Sequence, residues 1–176
     1  GQLVCKDGSV IWTETVSTIL RNKDGGVDIL GVSRNISKRK QTEKTLWENQ
    51  ERLQSFFENA GSLVWIKDLE GRFIAINKYA EANLGLPSER LLGRNVYDIF
   101  PEQDAEFYAA NDKAVIESGQ ILDVEETAVL DGVLHTYAST KFPLRDPKGN
   151  IYALGAICTD ITERKQIELA LRESES

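Results

Sequence analysis

The chain has 176 residues, enough for one to two domains, and its 21 basic and 28 acidic residues give a formal net charge of −7. This acidic balance argues against nucleic acid as a partner, and apolar runs of only a few residues argue against direct membrane insertion. Two cysteines, Cys5 and Cys158, lie in no metal-binding or redox motif, so we expect reduced thiols and a cytoplasmic location.

Residues 1–37 are rich in β-branched side chains and predict a β-hairpin. A run from Val10 to Leu20 is followed by a turn at residues 22–26 and a second run over residues 27–34. A hairpin with no helical layer cannot bury its apolar face. We therefore expect these strands to be frayed, borrowed by a neighbouring chain or packed on the second module, as the end of a preceding domain that is truncated here.

Residues 38–60 predict a connector helix with a narrow apolar stripe. The stripe repeats at heptad spacing, at Thr42, Leu46, Asn49, Leu53, Phe56 and Ala60. Two such positions in every seven are typical of a coiled-coil seam, and a seam asparagine favours a single register. The alternative is a helix that lies on its own domain.

Residues 61–162 predict the element order ββαααβββ. A hairpin opens the segment, and Asn77 caps the first of two short helices, which ends at Gly85. The longest helix is expected over residues 102–118, with Gly119 as its stop. Three strands close the segment, over residues 121–130, 133–145 and 150–161.

One part of the chain repeats another. The stretch from Gly31 to Leu46 returns from Ala156 to Leu171, a shift of 125 positions, and the sequence upstream matches at a shift of 124. The slip of one residue falls in a hairpin loop, where length varies easily. The repeat predicts an array: the end of one module, a connector helix, a complete module, and a further helix that begins over residues 163–176.

Four short motifs follow one another in the complete module. They are Ile66-Lys-Asp-Leu-Glu-Gly-Arg-Phe-Ile-Ala-Ile-Asn77, Ala80-Glu-Ala-Asn-Leu-Gly-Leu86, Leu91-Leu-Gly-Arg94 and Gly155-Ala-Ile-Cys-Thr-Asp-Ile-Thr-Glu-Arg-Lys165. In this order they resemble the PAS domain with its C-terminal PAC segment, as found in bacterial sensor histidine kinases. The resemblance implies an α+β fold with a five-stranded antiparallel sheet of order 2-1-5-4-3, helices on one face, and flanking coiled-coil-like connectors. It makes residues 1–37 the PAC part of a preceding PAS domain.

The resemblance also points to signal-relay residues where the last strand meets the following helix. These are Asp160 and Thr162 of the motif Asp160-Ile161-Thr162, together with Arg164. Short side-chain acceptors suit the unpaired amides of a first helical turn, and Arg164 could pair with Asp160 or with a carboxylate of the sheet. The first module has Asn35-Ile36-Ser37 at these positions, which keeps the capping groups and removes one charge. Helix capping without a switching role is the alternative.

No cofactor is predicted for the implied cavity. Flavin-adduct members of the family need a cysteine in the helical region, and residues 77–118 contain none. Haem-binding members generally need a histidine on the long helix, whereas the only histidine, His135, lies on a strand. Strand alternation places His135, Tyr137, Ser139 and Lys141 on the outer face, and the more apolar alternate residues inward.

Two interpretations of the cavity remain open. In the first, it holds a small organic ligand, such as a metabolite or a fatty-acid-like molecule, between mostly apolar side chains. The candidate lining residues are Val64, Ile66, Phe73, Ile76, Phe107, Thr136, Thr140 and Ile157. In the second, these side chains fill the space and the domain dimerises and relays without a ligand.

The sequence contains no nucleophile, phosphate-loop or metal-protease motif, so we expect a non-catalytic segment. We expect a sensory module of a multidomain signal-transduction protein, such as a sensor histidine kinase. Its expected partners are a second copy, through the connector helices, and adjacent PAS or kinase domains in the same chain. The alternatives are a ligand-free dimerisation scaffold, and a small-metabolite sensor with a diguanylate cyclase-type output.

Overall fold

The computed structural model describes residues 1–21, 26–130 and 132–174. It divides into two compact units, Gly1–Gln54 and Ser55–Ser176. Most of the turn predicted at residues 22–26 lies outside the described residues. Among the helices that are described, none combines the length and hydropathy that a bilayer crossing requires.

The first unit contains a three-stranded antiparallel sheet. Its strands are β1 (Gln2–Val4), β2 (Val10–Arg21) and β3 (Val27–Asn35), in the order β1-β2-β3. Large apolar side chains on both long strands are exposed, including Val16 (67%) and Ile29 (71%). Helix α1 (Ser37–Asn59) follows and has no buried residue.

The second unit contains a five-stranded antiparallel sheet with its helices inserted between the second and third strands. The elements are β4 (Leu63–Lys67), β5 (Phe73–Ile76), α2 (Lys78–Leu84), α3 (Ser88–Leu91), a 3-10 turn (Val96–Asp98), α4 (Glu102–Ser118), β6 (Leu122–Leu130), β7 (Val133–Arg145), β8 (Ile151–Asp160) and α5 (Thr162–Ser174). The strand order is β5-β4-β8-β7-β6, which is the implied order 2-1-5-4-3. The predicted fold class is confirmed.

The local sequence signals explain the helix boundaries. The Asn77 side chain accepts a hydrogen bond from the Ala80 amide and so caps α2. Gly85 and Gly119 end α2 and α4 in the left-handed conformation, both at φ 64°, which a side chain would strain. The helix cap at Asn77 and the helix ends at Gly85 and Gly119 are therefore at the predicted positions.

The sequence repeat is also a structural repeat. Thr13 pairs with Asn35 in the β2–β3 hairpin, and Tyr137 pairs with Asp160 in the β7–β8 hairpin. The first members of these pairs are 124 positions apart and the second members are 125 apart, as in the sequence. The β2–β3 and β7–β8 hairpins therefore have the same register.

The side-chain orientation predicted for β7 was wrong. Tyr137, Ser139 and Lys141 are only 6%, 2% and 1% exposed, whereas Leu134 is 58% exposed. The prediction assigned the polar members of the strand to solvent. The burial of Lys141 is tolerated because its ammonium has carboxylate partners in the interior, and a paired charge can be buried. Tyr137 and Ser139 lie on the same face of the strand, at a spacing of two.

Candidate functional site

The sheet and helices of the second unit surround a cavity of about 80 Å³. The sheet contributes Leu63, Trp65, Lys67, Tyr137, Ser139 and Lys141, among others. The helical side contributes Ala80, Leu84 and Tyr108, joined by Val96 and Phe100. The space exceeds the roughly 15 Å³ that one water needs and is smaller than the roughly 300 Å³ typical of drug-sized sites. It can therefore admit a small molecule.

A buried ionic network adjoins this cavity, formed by Lys67, Asp112, Glu126 and Lys141. The Lys67 Nζ lies 2.6 Å from Asp112 Oδ2, and the Lys141 Nζ lies 2.8 Å from Asp112 Oδ1. Lys141 Nζ also lies 2.7 Å from Glu126 Oε1. All four side chains are at most 9% exposed. Two cations and two anions balance, which is how a protein interior tolerates them.

The two ammonium groups differ in how well their charge is compensated. Burial lowers the pKa of Lys67, and the attraction of Asp112 only partly opposes this effect. Burial acts in the same direction on Lys141, but the attraction of Asp112 and Glu126 outweighs it, and the pKa of Lys141 is raised. The difference follows from the number of carboxylate partners, which is one for Lys67 and two for Lys141.

Aromatic rings surround the Lys67 ammonium. Its Nζ lies 4.3 Å from the ring centroid of Trp65 and 4.7 Å from that of Phe73. These two rings meet edge to face, at 5.8 Å between centroids. The ring faces stabilise the cation without satisfying its remaining N–H groups.

One hydroxyl on the cavity wall, that of Ser139, has the Cys158 thiol as its hydrogen-bonding neighbour. The Ser139 hydroxyl has no oxygen or nitrogen partner among the described residues, although the residue is 2% exposed. By contrast, the Tyr137 hydroxyl donates to Asn83 Oδ1 at 3.2 Å. Burial raises the pKa of Tyr137 to about 12, so its phenol stays protonated near neutral pH.

The structure places two of the predicted lining residues, Phe73 and Ile76, on the cavity wall. The others each lie one position from a wall residue: Val64, Ile66, Phe107, Thr136, Thr140 and Ile157. Neighbouring residues of a strand point to opposite faces of the sheet. The sequence analysis therefore assigned the wrong set of alternate residues to the cavity face of these strands.

Sequence reasoning missed the ionic network, although two signals were available. Lys67 follows Leu63 and Trp65 at a spacing of two, which puts it on the same strand face. Asp112 lies on the buried stripe of α4 with Tyr108 and Val115. A charged residue on each buried face indicates a buried pair.

A set of hydrogen bonds, which we call the exit latch, joins the end of β8 to β7 and α5. It consists of Thr136, Asp160, Ile161 and Thr162. Asp160 Oδ1 accepts hydrogen bonds from the Thr162 amide at 2.8 Å and from its hydroxyl at 2.5 Å. The Thr162 hydroxyl accepts one from the Thr136 amide at 2.9 Å, and the Ile161 amide donates to the Thr136 carbonyl at 2.8 Å.

The His135 side chain makes a further contact with the exit latch. His135 Nδ1 lies 2.8 Å from Asp160 Oδ2. Burial acts to raise the pKa of Asp160, but the hydrogen bonds from Thr162 and His135 outweigh it, and the pKa is lowered. Among the described residues, Arg164 forms an ion pair neither with Asp160 nor with a carboxylate of the sheet; its neighbour Lys165 pairs with Glu125 of the sheet, at 2.8 Å.

The first module forms an equivalent latch at the start of α1. The Ser37 amide donates to Asn35 Oδ1 at 2.9 Å, and the Ser37 hydroxyl accepts from the Trp12 amide at 2.8 Å. The Ile36 amide donates to the Trp12 carbonyl at 2.8 Å. Ile11 stands at the position of His135, so the histidine–aspartate pair is specific to the second module.

Replacing Thr162 with valine should loosen α5 at its origin. Valine keeps the branched shape but loses a hydroxyl that both donates and accepts, so we expect the free energy of unfolding to fall by about 1 kcal/mol. Hydrogen exchange followed by mass spectrometry should show faster exchange in the first turn of α5. Thr162→Ser, which keeps the hydroxyl, is the matched control; equal exchange in both variants would contradict the role of this hydroxyl.

Comparison with known proteins places this geometry in a family. A family model described as the PAS fold matches residues 57–166. The regulatory histidine kinase FilI of Methanothrix harundinacea is 25% identical over 127 residues, which is 71% of this chain and 14% of FilI. The chain therefore spans about one seventh of the length of FilI.

Two solved structures share the fold. The VqmA–ligand–DNA complex of Vibrio cholerae is 28% identical, with a TM-score of 0.59 over 64% of this chain and 51% of that chain. The PAS domain of BvgS from Bordetella pertussis is 17% identical, with a TM-score of 0.59 over 73% of this chain and 97% of that chain.

The comparisons correct one prediction from composition. Nucleic acid was excluded as a partner, and that exclusion was wrong, because VqmA shares the fold and its structure contains DNA. The net charge of −7 constrains only the surface of this segment, whereas the aligned part is about half of VqmA. The sheet order, the helical layer on the cavity and the family match over residues 57–166 together show that the chain belongs to the PAS family.

Proposed function

We propose that the chain senses the state of its cavity and relays it through the exit latch to α5, as a regulatory module of a signal-transduction protein such as a sensor histidine kinase. The continuity of β8 carries this proposal. Cys158 lies on the cavity wall, and two residues later Asp160 fixes the start of α5. The histidine kinase FilI supports the assignment to this class of protein.

The position of β8 favours transmission of a change along the strand. It lies between β4 and β7, and both of these strands also contribute cavity residues. A change in cavity packing therefore acts on β8 from both sides. Because the latch ties the last residues of β8 to the first turn of α5, a small shift of the strand becomes a tilt or rotation of the helix.

The connector helices favour a dimer. Leu46, Leu53 and Phe56 of α1 are 67%, 70% and 72% exposed, and Ile167 and Leu171 of α5 are 62% and 59% exposed. Exposed apolar side chains at heptad spacing are typical of helices that pair with a second copy. In this arrangement, rotation of α5 changes the packing of the paired helices.

The distance between α5 helices in the dimer tests the relay. Nitroxide labels on Leu169→Cys, in a Cys5→Ser background, report the distance between copies by double electron–electron resonance. Lys67→Met removes a charge from the cavity wall, and we expect it to shift the distance distribution. Adding Thr162→Val should abolish the shift, because the latch is then weakened.

The same labels test the dimer itself. Leu53→Glu places a charge in the seam and should remove the distance signal between copies, whereas Glu51→Gln, outside the seam, should retain it. The proposal fails if the unmodified chain gives no signal between copies, or if Lys67→Met leaves the distribution unchanged.

A further inference from the structure

We infer that the cavity binds a small, uncharged, planar molecule of the amide type, whose carbonyl oxygen accepts a hydrogen bond from Lys67. This names the ligand class for the sensing site proposed above and rests on that proposal.

Two buried groups on the cavity wall have unused hydrogen-bonding capacity. The Lys67 ammonium has three N–H groups, and its hydrogen bond is to Asp112 at 2.6 Å. The Ser139 hydroxyl has no oxygen or nitrogen partner among the described residues. Buried polar groups without partners are costly, so both groups favour a ligand that supplies an acceptor and a donor. An amide offers both on one planar group.

The charges of the ionic network favour a neutral ligand. Asp112 and Glu126 already neutralise Lys67 and Lys141 in a site shielded from water. A carboxylate ligand would bring in a net negative charge beside Glu126, and an ammonium ligand would approach the Lys67 ammonium. Either charge would enter a poorly solvated site without compensation, which is unfavourable.

The size and walls of the cavity favour a small planar shape. The volume of about 80 Å³ is roughly half that of a 150 Å³ cavity that binds benzene. Trp65, Phe73 and Tyr108 present aromatic surfaces to the space. Flat aromatic surfaces pack well against a planar amide, while the Lys67 ammonium beside Trp65 and Phe73 marks where its oxygen binds.

The first module shows that the closing hairpin does not need these groups. Ser17 stands at the position of Lys141, and Thr15 stands at the position of Ser139. The Thr15 hydroxyl is hydrogen-bonded to the Ser33 hydroxyl at 2.8 Å. The same register thus forms without the lysine, and Ser139 and Cys158 stand in the places of Thr15 and Ser33, so the buried lysine is a feature of the second module alone.

Three probes of nearly equal size and different charge test the inference: acetamide, acetate and ethylammonium. Titrations of the chain followed by heteronuclear NMR should show acetamide binding at Ser139 and Trp65, at least about tenfold tighter than either charged probe. Lys67→Met should weaken acetamide binding about tenfold, and Ser139→Ala severalfold. Lys113→Met, which removes an exposed lysine on α4, is the matched control and should leave binding unchanged.

Tighter binding of acetate or ethylammonium, or no binding of any probe, would overturn the inference. The result is independent of the relay, because it does not involve α5. Acetamide binding with no response at α5 would contradict only the relay, and a working relay without acetamide binding would contradict only the ligand class.

Discussion

Replacing Asp112 with alanine is expected to lower the free energy of unfolding by about 3–5 kcal/mol, because it removes the carboxylate that two buried lysines share. Lys67 would lose its partner at 2.6 Å, and Lys141 would keep only Glu126. An ammonium that is 2% exposed cannot recover this loss from water. The variant must therefore bury an unpaired charge, deprotonate Lys67 or open the core.

Urea denaturation followed by circular dichroism measures this effect as a lower midpoint. Glu106→Ala is the matched control, because it removes a carboxylate from the exposed face of the same helix; its effect should stay within about 0.5 kcal/mol. The double variant Lys67→Met with Asp112→Leu should recover much of the stability, since apolar residues can replace a buried pair. If Asp112→Ala is as stable as the control, the buried network does not hold the core together.

Replacing Asn77 with alanine is expected to lower the free energy of unfolding by about 3 kcal/mol, since one buried side chain makes four hydrogen bonds. Its Oδ1 accepts from the amides of Val64 and Ala80 at 3.1 and 3.0 Å. Its Nδ2 donates to the carbonyls of Phe57 and Ser62 at 3.1 and 3.0 Å. The residue is fully buried, so water cannot replace these partners.

The same denaturation experiment gives the measurement for Asn77→Ala. Asn59→Ala, at an exposed asparagine whose amide bonds only to Ser55, is the control and should change stability by about 0.5 kcal/mol or less. Asn77→Asp should destabilise at least as much as Asn77→Ala, because it keeps both acceptor roles but sets a buried carboxylate against the carbonyls of Phe57 and Ser62. A loss of stability no larger than that of Asn59→Ala would show that Asn77 contributes no more than an exposed helix-capping residue.

The fold could be predicted because several local signals agreed with one another. Asn77, Gly85 and Gly119 mark helix ends through groups that any sequence reveals, namely a short side-chain acceptor and residues free to adopt positive φ. The order of motifs then indicated the PAS fold, and with it the sheet order, which local propensity alone cannot give because strands distant in sequence pair in it.

The cavity could not be predicted in the same way, because the polarity of single residues was misleading. Ser139 and Lys141 look like solvent-facing residues when β7 is considered alone. The burial of Lys141 depends on its pairing with Asp112, which lies on a helix 29 residues earlier in the chain. The polarity of the residues on one strand therefore does not identify its buried face. The oppositely charged partner on another element has to be identified as well.

The two equivalent latches bear on how a chain of repeated domains can gain or lose a repeat. Because Ser37 and Thr162 are held to their sheets by the same hydrogen bonds, the helix leaves each module with the same local geometry. The stretch between equivalent latch positions, 125 residues long, is a unit that tandem duplication can add or remove while keeping both joints intact. The two copies differ within this shared frame, with Ile11 and Ser17 at the positions of His135 and Lys141.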